Sequence, residues 1–148
     1  MEGLAANPAF RTYALCSAIL AAKLLYSSVY TGTRRTRHQA FINPEDARVF
    51  GQHGTTANPD EAPAVAHALR IQRNDLENIP AFFAIGLVYV LLGASARGAA
   101  WYCWTFTIAR VAHTVMYTRN IQPWRAIAFG VGAFAMTGMI VQILIATL

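Results

Sequence analysis

The chain has 148 residues, of which 55% are hydrophobic and only 13% charged, and its mean hydropathy is +0.35. That is too apolar for an ordinary soluble domain of this length. One integral membrane domain covering 1–148, with four segments long enough to cross a bilayer, accounts for most of it. The net charge of +5 does not form a nucleic-acid patch: only Lys23 among the twelve basic residues is a lysine, and all seven acidic residues precede Asn78. Such a balance belongs to arginine-rich cytoplasmic loops of a membrane protein. Cys16 and Cys103 are isolated inside apolar segments, so neither zinc nor a disulfide framework is expected, and no metal site is assigned.

The first span covers about 13–31, with Lys23 near its middle, where a cation must face a polar interior. No basic start followed by a cleavage site precedes it, so this run is expected to be kept as a helix. A polar cytoplasmic loop, 32–58, follows and carries two Asn-Pro pairs, Asn43-Pro44-Glu45-Asp46 and Asn58-Pro59-Asp60-Glu61. Each predicts a helix start, with Asn as cap, Pro at the first position and carboxylates against the N-terminal dipole. The second helix runs to about Leu92, its apolar part following Ile79, and Pro80 is expected to kink it. As spans, helices two, three and four cover about 73–92, 99–117 and 124–147.

Short connections after helices two and three predict antiparallel neighbours and an all-α, up-down four-helix transmembrane bundle. Eight arginines (Arg34, Arg35, Arg37, Arg48, Arg70, Arg73, Arg119 and Arg125) flank one side of the spans, against Arg11 and Arg97 on the other. The positive-inside rule then puts both termini outside or lumenal. The preference for Arg over Lys, with many Ala, suits a GC-rich genome; a bacterial inner membrane or the endoplasmic reticulum is the expected location.

The polar residues inside the helices carry the functional signal. Arg70, Arg73, Asn74 and Glu77 fall at i, i+3, i+4 and i+7, one arc of about 100° on helix two. Arg110, His113, Thr114 and Tyr117 repeat that spacing on helix three, Arg125 opens helix four, and Lys23, Tyr26 and Tyr30 share a face of helix one. Interhelical neutralisation and hydrogen bonding would explain any one of these alone. As a set, Arg70, Arg73 and Arg110, with Arg35 and Arg125 nearby, outnumber the carboxylates of Asp75 and Glu77 and call for an anionic ligand. Glutathione fits, with Arg for its carboxylates and Glu77 for its ammonium; composition equally permits another small anion or a lipid headgroup.

The stretches AFINPEDA (40–47), RNDLENI (73–79), ARVAHTVMY (109–117) and QPWRA (122–126) carry a family resemblance over nearly the whole chain. The chain resembles the membrane-associated proteins in eicosanoid and glutathione metabolism (MAPEG), in the branch of microsomal glutathione transferases and microsomal prostaglandin E synthases. The resemblance implies a homotrimer of four-helix subunits, with glutathione between neighbouring protomers near the cytoplasmic side. It assigns glutathione binding to Arg35, Arg73, Asn74, Glu77, His113, Tyr117 and Arg125, support to Arg70 and Arg110, and the chemistry to Arg125 and Asp46. Asp46 is also an ordinary residue for a first helical turn, and Arg125 an ordinary interfacial anchor. At the start of helix four, the Arg125 cation and helix-end amides would favour thiolate over thiol.

Three positions depart from the prostaglandin synthase pattern: Ala126 stands where a serine follows the arginine, Phe129 replaces a tyrosine, and Gln72 replaces a histidine. Thiol activation by a serine hydroxyl is therefore excluded at 126. The pattern implies a membrane glutathione transferase that conjugates lipophilic electrophiles and, as a second activity, reduces lipid hydroperoxides. A prostaglandin E synthase-like isomerase is the alternative within the family, and a non-catalytic lipid-binding scaffold the alternative from another class.

Overall fold

A computed structural model describes residues 3–58, 60 and 62–148. Among these there is no strand. A 3-10 turn at Leu4–Ala6 precedes α1 (Pro8–Arg37), α2 (Pro44–Phe50), α3 (Pro63–Leu91), α4 (Ala96–Thr118) and α5 (Trp124–Thr147). Four long helices were expected; α2 is a fifth, short one inside the polar loop.

Local chemistry sets the boundaries. Asn7 opens α1: its Oδ1 accepts from the Ala9 amide at 2.9 Å, and Pro8 takes the first helical position. The Asn43-Pro44 start holds, with Glu45 and Asp46 in the first turn of α2. The Asn43 side chain does not cap it, however, and instead donates from Nδ2 to Asp46 Oδ2 at 3.1 Å.

The second Asn-Pro start is corrected: α3 begins at Pro63, not Asn58. The Asn58 side chain is taken by a local turn, accepting from the Asp60 amide at 2.9 Å, while the Asn58 backbone N–H donates to Phe41 O at 2.9 Å. Pro59 and Glu61 of that motif lie outside the described residues. Pro80 lies inside α3, which continues through it to Leu91.

Gly93 (φ +88°) and Asn120 (φ +54°) turn the chain after α3 and α4, in the left-handed conformation that helix ends favour. Ser95 Oγ caps α4 by accepting from the Gly98 amide at 3.0 Å, which starts this helix at Ala96 rather than Ala99. At 30 residues, α1 runs about 45 Å, well beyond the ~30 Å hydrocarbon thickness, so part of it must extend past any bilayer it crosses.

The chain forms two compact units, Met1–Lys23 with Leu76–Leu148, and Leu24–Asp75. In the first, Phe82 and Phe106 stack at 4.6 Å, and Tyr13 donates to Phe83 O at 2.8 Å. Helix α5 presents a buried stripe of small residues, Ala128, Gly132 and Ala135, ending on Met139. Small residues let helix backbones approach closely, and Gly132 lies against Phe106, Ala109 and Arg110 of α4.

The close approach supports a paired prediction. A Cβ at Gly132 would meet nothing nearer than 3.6 Å, whereas one at Gly138 would overlap the Tyr102 ring. Gly138→Ala is therefore expected to lose about 1–3 kcal/mol through overpacking. Gly132→Ala should be neutral or gain up to about 1 kcal/mol from helix propensity. Melting of both variants in detergent checks the opposite signs.

In the second unit, Gln39 ties the loop after α2, its Oε1 accepting from the Gln52 amide at 2.6 Å and from Thr55 Oγ1 at 3.1 Å. Gln72 Nε2 donates to Ser28 Oγ at 3.1 Å, joining α3 to α1.

Helices α1 and α5 are long and apolar enough to cross a membrane, with mean hydropathies of 1.3 and 2.0. Helices α3 and α4 do not pass the same test, and both interrupt their apolar sequence with charge: Arg70, Arg73, Asp75 and Glu77 on α3, Arg97 and Arg110 on α4. Outside its buried stripe, α5 exposes Phe134, Leu144 and Ile145, a surface suited to lipid.

Candidate functional site

The polar residues of α4 and the first turn of α5 form one cluster within the first unit. Helical spacing puts His113 and Tyr117 one turn apart, with ring centroids at 5.7 Å in an edge-to-face arrangement. The Arg125 guanidinium sits over the Tyr117 ring at 4.4 Å, a cation–π contact. Phe129, one turn further along α5, lies 6.2 Å from the His113 ring. His113 and Arg110 are buried, at 4% and 1% exposure, while Tyr117 and Arg125 are half-buried. The cluster thus grades from a buried cation to an accessible one.

Three of the helix-end amides expected to help are engaged within the chain. The amides of Arg125, Ala126 and Ile127 already donate, to Ile121 O at 3.2 Å and to Pro123 O at 2.9 and 3.2 Å. The turn before α5 engages these three donors, while the Arg125 guanidinium stays half-buried and accessible.

Arg35 and Asp46 come together in the second unit. Both line a cleft of about 250 Å³ with Gly32, Thr36, Phe41 and Phe50. The extension of α1 to Arg37 and the start of α2 at Pro44 bring the cation and carboxylate to one cavity. Asp46 is held by the Asn43 amide, which fixes its carboxylate on the first turn of α2.

The arc on α3 is turned outward. Arg70, Arg73 and Glu77 are exposed and Asn74 is half-buried, whereas Asp75 is fully buried. The α4 face bearing Arg110, His113 and Thr114 is turned inward instead. The two arcs, alike in sequence, are therefore not both faces of one chain's interior. An exposed row of two arginines and a glutamate is unsuited to lipid and belongs against water or protein. Arg35, Asp46, Arg70, Arg73 and Asn74 belong to the second unit; Glu77, Arg110, His113, Tyr117 and Arg125 belong to the first.

Sequence reasoning used Asp75 only as a counter-charge and missed its burial. The signal was present: Asp75 falls in phase with Ala68, Ile71, Ile79 and Phe82, all buried, at heptad-like spacing on α3. Lys23 is buried, on the stripe of α1 that includes Cys16, Leu20, Ser27 and Thr31. Tyr26, assigned to the same face, is 56% exposed and stacks on Tyr30 at 6.0 Å. Arg34 donates from Nη2 to the Tyr30 hydroxyl at 2.7 Å, completing an aromatic–cation ledge near the end of α1.

Comparison with known proteins matches residues 13–145 to the MAPEG family. The chain is 36% identical to a human prostaglandin E synthase over 139 residues, 93% of this chain and 90% of that protein. Against the rat prostaglandin E synthase, identity is 38% over 146 residues, 97% of this chain and 91% of the relative. A pig microsomal glutathione S-transferase 1 is 36% identical over 131 residues, covering 85% and 83%.

Proposed function

The chain belongs to the MAPEG family, and from that membership we propose that it is a multi-pass membrane glutathione transferase. It conjugates lipophilic electrophiles, and reduces lipid hydroperoxides, through a glutathione thiolate that Arg125 stabilises. The observation that carries this reading is the accessible Arg125 guanidinium seated on Tyr117 beside buried His113. A fixed cation beside a thiol lowers its pKa and so raises the nucleophilic fraction. Arg35, Arg73 and Asn74 supply donors for the carboxylates of the tripeptide, and Glu77 accepts its ammonium. Arg70 and Arg110 support the cluster.

The outward α3 row and the inward α4 cluster fit a homotrimer in which neighbouring protomers complete each site. Asp46, in the cleft with Arg35, is the second candidate for the chemistry. All four long helices serve as spans, α3 and α4 keeping their charges against protein.

The relatives named prostaglandin E synthase favour a second reading, an isomerase of an endoperoxide that uses the same thiolate. Ala126 weakens it, since no hydroxyl follows the arginine. A non-catalytic lipid-binding scaffold would have no use for the arginines, Asn74, Glu77 and Tyr117 together.

One detergent-purified sample assayed with glutathione against chlorodinitrobenzene, a lipid hydroperoxide and an endoperoxide separates these readings. Conjugation and peroxidase turnover well above isomerisation is the expected result. Dominant isomerisation would select the second reading, and absence of all three would select the scaffold.

Topology gives a separate prediction. A cysteine at Gln52 should be labelled from the cytoplasmic side only, and one at Arg97 from the opposite side only. Arg97 is exposed in the first turn of α4, two residues past the capping Ser95. Native Cys16 and Cys103 are buried and should give little background. The reverse labelling pattern would overturn the orientation.

A further inference from the structure

The turn before α5 holds a second group against Arg125. When the Gln122 amide is oriented with its oxygen toward the arginine, that oxygen accepts from Arg125 Nε at 3.0 Å and from Nη2 as well. Arg125 is thus gripped in two directions. Tyr117 covers one face of the guanidinium plane at 4.4 Å, and Gln122 holds the Nε–Nη2 edge within it. A face contact alone lets the plane rotate about its normal; an edge contact alone lets it tip. Together they fix the fork.

Of the five guanidinium N–H groups, one on Nε and one on Nη2 point at Gln122; three remain, and two of these, one on each Nη, lie on the Nη1–Nη2 edge. That edge is directed away from the glutamine and is the one available to an anion.

We propose that Gln122 is a positioning residue that orients the Arg125 guanidinium toward the reacting sulfur, an inference that rests on the thiolate reading above. A neutral acceptor is the chemistry this role requires. The amide oxygen holds the fork without cancelling its charge, whereas a carboxylate at the same place would hold it equally well and neutralise the field felt by the sulfur. Gln122 is exposed and Arg125 half-buried, so the pair can be altered without opening the helix core.

The test compares Gln122→Met, which keeps length and removes the acceptor, with Gln122→Glu, which keeps the acceptor and adds charge. For Gln122→Met, kcat for chlorodinitrobenzene conjugation should fall about tenfold, the size of one hydrogen bond to a charged group, with glutathione affinity within about threefold of the parent. For Gln122→Glu, the thiolate absorbance of bound glutathione should appear only at higher pH than in the parent, and the rate profile should move with it. In an Arg125→Ala background, Gln122→Met should cost nothing further, because its effect passes through the arginine.

Parent-like kcat and thiolate profile in both single variants would overturn the proposal. So would an undiminished loss in the Arg125→Ala background, which marks a structural role. Should Arg125→Ala itself keep the full thiolate signal, the underlying thiolate reading fails. A lost signal in Arg125→Ala with parent-like Gln122→Met and Gln122→Glu defeats only the positioning role.

Discussion

Arg125→Ala should lower kcat for conjugation by about 10²–10³-fold, the scale seen when one preorganised electrostatic donor is removed, while glutathione affinity falls far less. The split follows from position. Arg125 is half-buried over the Tyr117 ring, and its own amide and those of Ala126 and Ile127 are already bonded, so its guanidinium is the accessible charge at this end of α5. Removing a group that acts mainly on the reacting atom lowers kcat more than binding. Lysine at 125 should rescue only in part, because it keeps the charge but lacks the planar fork that Tyr117 and Gln122 hold. Steady-state kinetics with calorimetry of glutathione binding check both halves. Ala126→Ser tests the hydroxyl alternative: if a serine were the missing donor, that change would raise endoperoxide isomerisation and leave conjugation nearly unaltered.

The second large effect is expected on binding. Arg73→Ala and Glu77→Ala should each weaken glutathione about 10–100-fold, the equivalent of a charged hydrogen bond at 1.5–3 kcal/mol. Both side chains are exposed on the same arc of α3, four residues apart, so one ligand can engage both. The double variant should then lose less than the sum of the two single losses. Calorimetry showing parent-like affinity for both single variants would remove α3 from the site.

Much of this organisation was legible in the residues. Periodicity and apolar run length located the four long helices, since Gly93 and the 119–123 turn interrupt the pattern sharply. The i, i+3, i+4, i+7 rows drew attention to Arg73, Glu77, His113 and Tyr117. Their opposite orientations, outward on α3 and inward on α4, could not be read from the polar rows themselves. A row of charges has the same spacing whichever way it faces, and only the apolar phase around Asp75 shows which side α3 buries. The start of α3 was misplaced for a similar reason. Asn-Pro is the same dipeptide whether its Asn caps a helix or closes a turn, and tertiary bonding from Phe41 decides which. The grip of Gln122 on Arg125 depends on the chain reversal at 119–123, which sequence spacing does not encode.

Thiolate formation on binding tests the central claim most directly. Glutathione should be titrated into the detergent-solubilised protein at neutral pH while ultraviolet thiolate absorbance and proton release are followed together. The account predicts a thiolate band that grows with occupancy and approaches one proton released per glutathione bound, both lost in Arg125→Ala. Saturable binding with no band and no proton release would contradict it.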